Sequence, residues 1–114
     1  MPGKKQGETK KSQVKIDSTE LTETQLAVDQ TFRALGEFNR RAMLEIIYQQ
    51  PGISQQALTE YFSISRFAVM KHLNILEAAE LIRKESEGKH KLHYFAQRPL
   101  AQYVLPWIQQ FKED

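Results

Sequence analysis

SQQALTEYFSISRFAVMKHLNILEAAE, residues 54–80, holds two helices separated by a break that leaves room only for a tight turn. Ser54 is a good N-cap, because its hydroxyl can satisfy an amide that the first helical turn leaves unpaired. The pattern predicts a short helix from Gln55 to about Phe62, with Ala57, Leu58 and either Tyr61 or Phe62 inward. Ser63-Ile64-Ser65 interrupts it, and Ser65 caps a longer helix predicted to run to about Glu80. Val69, Leu73 and Leu76 recur at i, i+4 and i+7, an inward stripe, while Arg66, Met70, Lys71 and Asn74 fall largely off it. A short helix followed after three residues by a longer one with a polar, cationic outer face is the helix-turn-helix signature.

The flanking sequence extends this unit. After Glu80 the period changes to two. Leu81–Glu85 reads as a strand, Ser86–Lys89 as a turn and His90–Phe95 as a returning strand, a hairpin placed where a wing would be. Upstream, Leu21–Leu35 and Glu37–Gln50 read as two helices parted by Gly36 and ended by Pro51-Gly52. Apolar residues of the second include Phe38, Met43, Leu44, Ile47 and Tyr48. Downstream, Pro99 opens a helix expected from Leu100 to about Phe111, which Pro106 should bend or split. The expected fold is mainly α with a small β-hairpin wing, a winged helix-turn-helix over residues 20–114. Residues 1–19, rich in Lys, Gly, Gln, Ser and Thr, are expected to form a disordered basic tail.

Composition sets the outer limits. The chain has 114 residues, enough for one domain, and 26% of them are charged. It has no cysteine, which excludes disulfides, thiolate metal sites and thiol nucleophiles. No apolar run is long enough to span a membrane, and no apolar stretch follows the N-terminal lysines, so the cytoplasm is the expected compartment. The net charge of +2 hides an uneven distribution: +3 over residues 1–19, −3 over 20–60, +3 over 61–98 and −1 over 99–114. The third block also holds His72, His90 and His93. No Gly-rich phosphate loop, His–Glu metal pair or Ser–His–Asp set stands in a supporting context, so an enzyme is not expected.

Several motifs together resemble the ArsR family of bacterial winged-helix repressors. Phe32-Arg33-Ala34-Leu35-Gly36, with Arg40-Arg41 and Leu44-Glu45-Ile46-Ile47, is similar to the family's opening. The run from Ile64 to Leu73, with Leu76-Glu77 and Leu81-Ile82, resembles its recognition helix, and Lys89–Tyr94 its wing. The likeness extends over residues 26–111. Gly36-Glu37-Phe38-Asn39-Arg40 departs modestly from the family's Gly-Asp-Pro-Thr-Arg-like turn. A larger departure is that residues 54–62 have no Cys or His and residues 100–111 no Asp, Glu or His, so metal sensing is not carried over. The chain looks closest to the metal-free, SdpR-like branch. The resemblance implies a homodimer built by the first and last helices, with Leu26, Val28, Phe32, Tyr103, Val104, Trp107, Ile108 and Phe111 at its interface. It also implies an operator on double-stranded DNA, and no cofactor.

Residue chemistry supplies the candidate contacts. Arg66 can reach guanine O6 and N7 or a phosphate, Asn74 adenine, and Lys71 a phosphate. Met70 and Phe67 read either as thymine-methyl contacts or as packing. Ser54, Gln55, Gln56 and Ser65 stand at helix starts, whose amides suit phosphates. His72 suits a structural or phosphate hydrogen bond better than a metal, and His90 and His93 point to opposite strand faces. Lys84, Lys89, His90 and Lys91 in the wing would add backbone affinity rather than sequence readout. Arg40 and Arg41 read either as phosphate ligands or as partners of Glu37 and Glu45. The leading expectation is a sequence-specific repressor that binds a palindrome as a homodimer, released by an unidentified small-molecule or protein effector or by none. The competing one is a winged-helix protein-interaction module that does not bind DNA, suggested by apolar Phe67 and Met70 on the reading helix.

Overall fold

The computed structural model describes residues 14–113, so most of the predicted tail lies outside the described residues. Helices α1 (Glu23–Leu35) and α2 (Phe38–Gln49) are followed by a two-residue strand β1 (Ile53–Ser54). The short helix α3 (Gln55–Thr59) and the longer α4 (Arg66–Ala78) come next, then strands β2 (Ile82–Glu87) and β3 (His90–Phe95). Residues 98–109 are helical throughout, with a π-helical turn at Leu100–Val104 that continues into α5 (Leu105–Gln109). The result is a winged helix-turn-helix with a three-stranded antiparallel sheet ordered β1-β3-β2.

Local chemistry sets the boundaries. Thr22 and Gln25 form a reciprocal capping box, so α1 begins at Glu23, two residues later than expected. The Glu37 carboxylate caps α2 by accepting from the Arg40 amide. Ser54 and Ser65 cap α3 and α4 through the amides of Ala57 and Ala68. Helix α3 is shorter than expected because residues 60–62 tighten into i→i+3 bonds. Phe62 is the partly buried member of the expected pair and Tyr61 is exposed.

The core joins Ala34 of α1, Met43, Leu44 and Ile47 of α2, Leu58 of α3, and Val69, Leu73 and Leu76 of α4 to Ile53, Leu81 and Ile82. Phe38 and Tyr48, counted among the apolar positions of α2, are exposed instead. The hairpin is longer and tighter than expected. Strand β2 reaches Glu87, which pairs with His90, leaving a two-residue turn in which Gly88 takes a φ of 62°. Glycine at the first position of such a turn supplies the positive φ that its twist requires. At the C-terminus Pro106 has no N–H to donate to the carbonyl of Gln102, and the helix opens into the π-turn just before it. There the Leu105 amide bonds to the Leu100 carbonyl.

Candidate nucleic-acid interface

Two tight turns bring distant residues to one surface. The Ser54 cap starts α3 beside the sheet, the break at residues 63–65 aims the start of α4 the same way, and the wing turn lies across from both. Ser54, Gln55, Gln56, Arg66, Lys89, His90 and Lys91 line one polar concavity of ≈ 470 Å³. All seven were expected as contacts from the sequence. Arg66, Lys89 and Lys91 bring positive charge there, and no carboxylate lines the concavity among the described residues. Gln55 and Gln56 add amide groups able both to donate and to accept.

Ser65, Phe67, Met70 and Lys71 continue this surface along α4, and all four are exposed. Phe67 is 70% exposed, so of its two readings the packing one does not hold in this chain. Among the described residues, Arg66, Lys71, Lys89 and Lys91 form no salt bridge. Cations without internal partners are free to meet phosphates. Arg83, by contrast, pairs with Glu85 at 3.1 Å and lies over the Tyr94 ring.

Three residues expected in the same set are engaged inside the protein. Lys84 donates to Asn74 Oδ1 at 3.0 Å and lies 3.3 Å from Glu77, binding the wing to the flank of α4. His72 is half-buried on the other flank, where its Nδ1 accepts from the Arg40 guanidinium at 3.1 Å. From the sequence Arg40 reads as a phosphate ligand or a partner of Glu37; Glu37 does bond to the Arg40 amide, while the guanidinium turns inward. Its guanidinium also donates to the carbonyls of Ala34 at 2.8 Å and Arg33 at 2.9 Å, the last residues of α1. Arg41 donates to the Leu35 carbonyl rather than pairing with Glu45. Burial works against the Glu37 charge. The Arg40 amide bond, the Arg40 charge and Asn39 nevertheless hold its carboxyl below the usual value.

Sequence reasoning missed the importance of His93. It sits in the middle strand, opposite Ile53 on one side and Lys84 on the other, and is fully buried. Its Nδ1 is 2.9 Å from the Ile53 carbonyl. A carbonyl can only accept, so Nδ1 carries the proton, and Nε2 is left without a partner among the described residues. Burial pushes the imidazole pKa below its ordinary value. The Ile53 bond and Glu77 oppose that shift, and the Lys84 charge adds to it. Strand alternation did place His93 opposite His90, but only the packing of β3 against α2 and α3 and its pairing with β1 show that His93 is interior.

A second surface differs in kind. Trp107 meets Phe32 edge-on at 5.3 Å and Phe111 at 4.9 Å, joining α1 to the C-terminal helix. Leu26, Trp107, Ile108 and Phe111 are each at least half exposed there, and Val28, Phe32, Tyr103 and Val104 are half-buried beside them. Tyr103 also lines a small concavity with Ala27, Gln30, Glu80 and Arg98. An apolar groove adjoins this surface, where Tyr48, Phe95 and Leu100 meet Val104 and Ile108. No helix among the described residues is long and apolar enough to cross a membrane.

Comparison with known proteins agrees with this geometry. A profile of the MarR family matches residues 32–91. The uncharacterized HTH-type transcriptional regulator YuzN of Bacillus subtilis (strain 168) is 33% identical over 87 residues, covering 71% of this chain and 95% of that protein. The transcriptional repressor SdpR of the same organism is 26% identical over 84 residues, covering 74% and 91%. A crystal structure of an ArsR family transcriptional regulator superposes with a TM-score of 0.68 at 25% identity, covering 74% of this chain and 84% of that one.

Proposed function

The chain belongs to the MarR family, whose relatives here are transcriptional regulators and not enzymes, and from that premise we propose that it is a homodimeric repressor reading a palindromic operator. Within the family's winged-helix breadth we place it beside the ArsR-like, SdpR-like regulators, on the motifs from Phe32 to Gly36 and from Ile64 to Leu73. The observation that carries the DNA reading is the concavity at Ser54, Gln55, Gln56, Arg66, Lys89, His90 and Lys91, which gathers cations and amides with no acid among the described residues.

In this reading α4 enters the major groove. Arg66 meets a guanine edge or a phosphate, and Phe67 and Met70 meet thymine methyls. Lys71 and the wing residues Lys89, His90 and Lys91 lie along the phosphates, fixing register rather than reading bases. Ser54 and Ser65 offer hydroxyl protons from their capping positions. His72, Asn74 and Lys84 hold the reading helix in place instead of touching DNA. The apolar α1–C-terminal surface meets its twofold copy, so two reading helices address half-sites about one helical turn apart or a multiple of it. The repressor role rests on the likeness to SdpR. No metal is invoked.

The test is selection of bound duplexes from a random library by the purified protein, at physiological salt with chelator present. An enriched palindrome is the expected result. Lack of enrichment, with equal affinity for all duplexes, contradicts sequence reading. Exposed Phe67 and Met70 also suit a protein partner. Lys89→Glu with Lys91→Glu separates the two readings, because it abolishes DNA binding and leaves an apolar protein contact largely intact.

A further inference from the structure

Resting on the DNA-reading proposal, we infer that Arg40 is a positioning residue. Through His72 it fixes the rotation of α4 relative to α1 and thereby sets sequence preference without touching DNA. The core stripe Val69, Leu73 and Leu76 sets how deeply α4 sits, but apolar contacts are not directional and hold its roll only loosely. Hydrogen bonds are directional. His72 lies next to Leu73 in the sequence, so it projects from the flank of α4 between the core and the outer face.

One guanidinium joins three helices at that flank. From α2, Arg40 donates through Nε and one terminal nitrogen to the Ala34 and Arg33 carbonyls at the end of α1. The Arg33 carbonyl also accepts from the Gly36 cap amide, the Ala34 carbonyl lies at the end of α1 where helix termination leaves acceptors spare, and a cation there also suits the helix dipole. The other terminal nitrogen donates to His72 Nδ1 on α4. Arginine can only donate, so His72 holds its neutral proton on Nε2. Glu37 completes the cluster: it caps the Arg40 amide at 3.1 Å, and its Oε1 is 3.9 Å from the same His72 nitrogen. The planar fork of Arg40 meets three acceptors in fixed directions, which a lysine cannot do. The opposite flank of α4 is held separately, by Lys84 on Asn74 and Glu77. Because α1 carries Leu26 and Phe32 of the proposed dimer surface, the Arg40–His72 bond relates the placement of that surface to the angle at which Arg66 and Met70 meet the bases.

The experiment measures affinity for the duplex selected by the parent protein and for a random duplex of equal length. The proteins compared are the parent, Arg40→Gln, His72→Ala, the double variant and His72→Asn. Asparagine returns an acceptor oxygen near the place of Nδ1. Arg40→Gln and His72→Ala are each expected to lower the preference for the selected duplex at least fivefold, with random-duplex affinity within twofold of the parent. The double variant is expected to lose no more than the worse single, and His72→Asn to recover most of the preference. Additive losses, or a fall in random-duplex affinity as large as the fall for the selected one, overturn the inference and make Arg40 a phosphate ligand. If Arg40→Gln does not fold, the contrast between His72→Ala and His72→Asn decides alone, and failure of His72→Asn to recover overturns the inference. A parent with no preference among duplexes overturns the DNA-reading proposal and this one with it. A parent that discriminates while every variant discriminates equally well overturns only the role of Arg40.

Discussion

The two surfaces of this small domain are built from opposite materials. The wing side presents Arg66, Lys71, Lys89 and Lys91 around a polar concavity, and their side chains have no internal ion partners among the described residues. The α1–C-terminal side presents Leu26, Trp107, Ile108 and Phe111, with aromatic rings stacked edge to face between elements. Charge acts at long range, weakens with salt and tolerates many sequences. Apolar area acts on contact and is nearly indifferent to salt. The first suits a polyanion and the second suits a copy of itself, the two associations proposed above.

The comparison breaks most severely at Trp107. Replacing it with alanine removes the ring that meets both Phe32 and Phe111, and a central aromatic of an interface is worth about 2 kcal/mol or more. Trp107→Ala should raise the dimer dissociation constant by roughly thirtyfold or more. Sedimentation at low concentration measures this, and an unchanged profile contradicts the proposed dimer surface. On the other side, Arg66→Ala should cost about 1–3 kcal/mol on the selected duplex and relax preference at one base pair per half-site. Self-association should not change. A loss spread evenly over all duplexes would make Arg66 a phosphate contact instead.

Two smaller effects sharpen the contrast. Lys89→Ala and Lys91→Ala should each reduce the slope of log affinity against log salt by about one per half-site, equally for selected and random duplexes. Base-specific losses from either would contradict the assignment of the wing to the backbone. Acid should loosen the wing side first. The His93 pKa is lowered in the folded state, so the unfolded chain takes up the proton more readily. Stability is therefore retained above the ordinary histidine value of about 6.5 and lost as pH falls through it toward the folded value. The melting temperature should drop between pH 7 and 5 and drop less in His93→Asn, whose amide nitrogen lies near the place of Nδ1 and can still donate to Ile53. Equal pH dependence in both proteins would show that His93 is not responsible.

The smallest expected effect is at Glu80, which ends the reading helix with a φ of 61°. Glycine is the usual residue in this left-handed position. Glu80→Gly should raise stability by about 0.5–1 kcal/mol, since the exposed Glu80–Arg98 pair that it gives up is worth little. A lower denaturation midpoint would mean that this pair matters more than the backbone strain.

The legible parts of the molecule were those governed by short-range periodicity. The stripe Val69, Leu73 and Leu76, the Ser54 and Ser65 caps, the strand from His90 to Phe95 and the cationic character of the wing all follow from residues a few positions apart. What the sequence hid depends on distant neighbours. Strand β1 is two residues long and has no period to read, yet it pairs with β3 and supplies the Ile53 carbonyl that meets His93. The bonds of Arg40 to His72 and of Lys84 to Asn74 and Glu77 span 32, 10 and 7 positions, and a lone arginine or lysine does not disclose its partner. For that reason the internal bonds of three expected DNA contacts, His72, Asn74 and Lys84, could not be read from the sequence. Pro106 marked a disturbance in the last helix, but only the backbone shows that it takes the form of a π-turn on the N-terminal side.

The most direct test of the account is a salt titration of both associations in one protein. Affinity for the selected duplex and the dimer dissociation constant would be followed together from about 50 to 200 mM salt. With roughly six or more phosphate contacts, DNA affinity should fall about a thousandfold or more over that range. Dimer dissociation should change less than about threefold, because it rests on apolar area. DNA affinity that is flat in salt, or a dimer that falls apart in step with it, would contradict the division of the two surfaces.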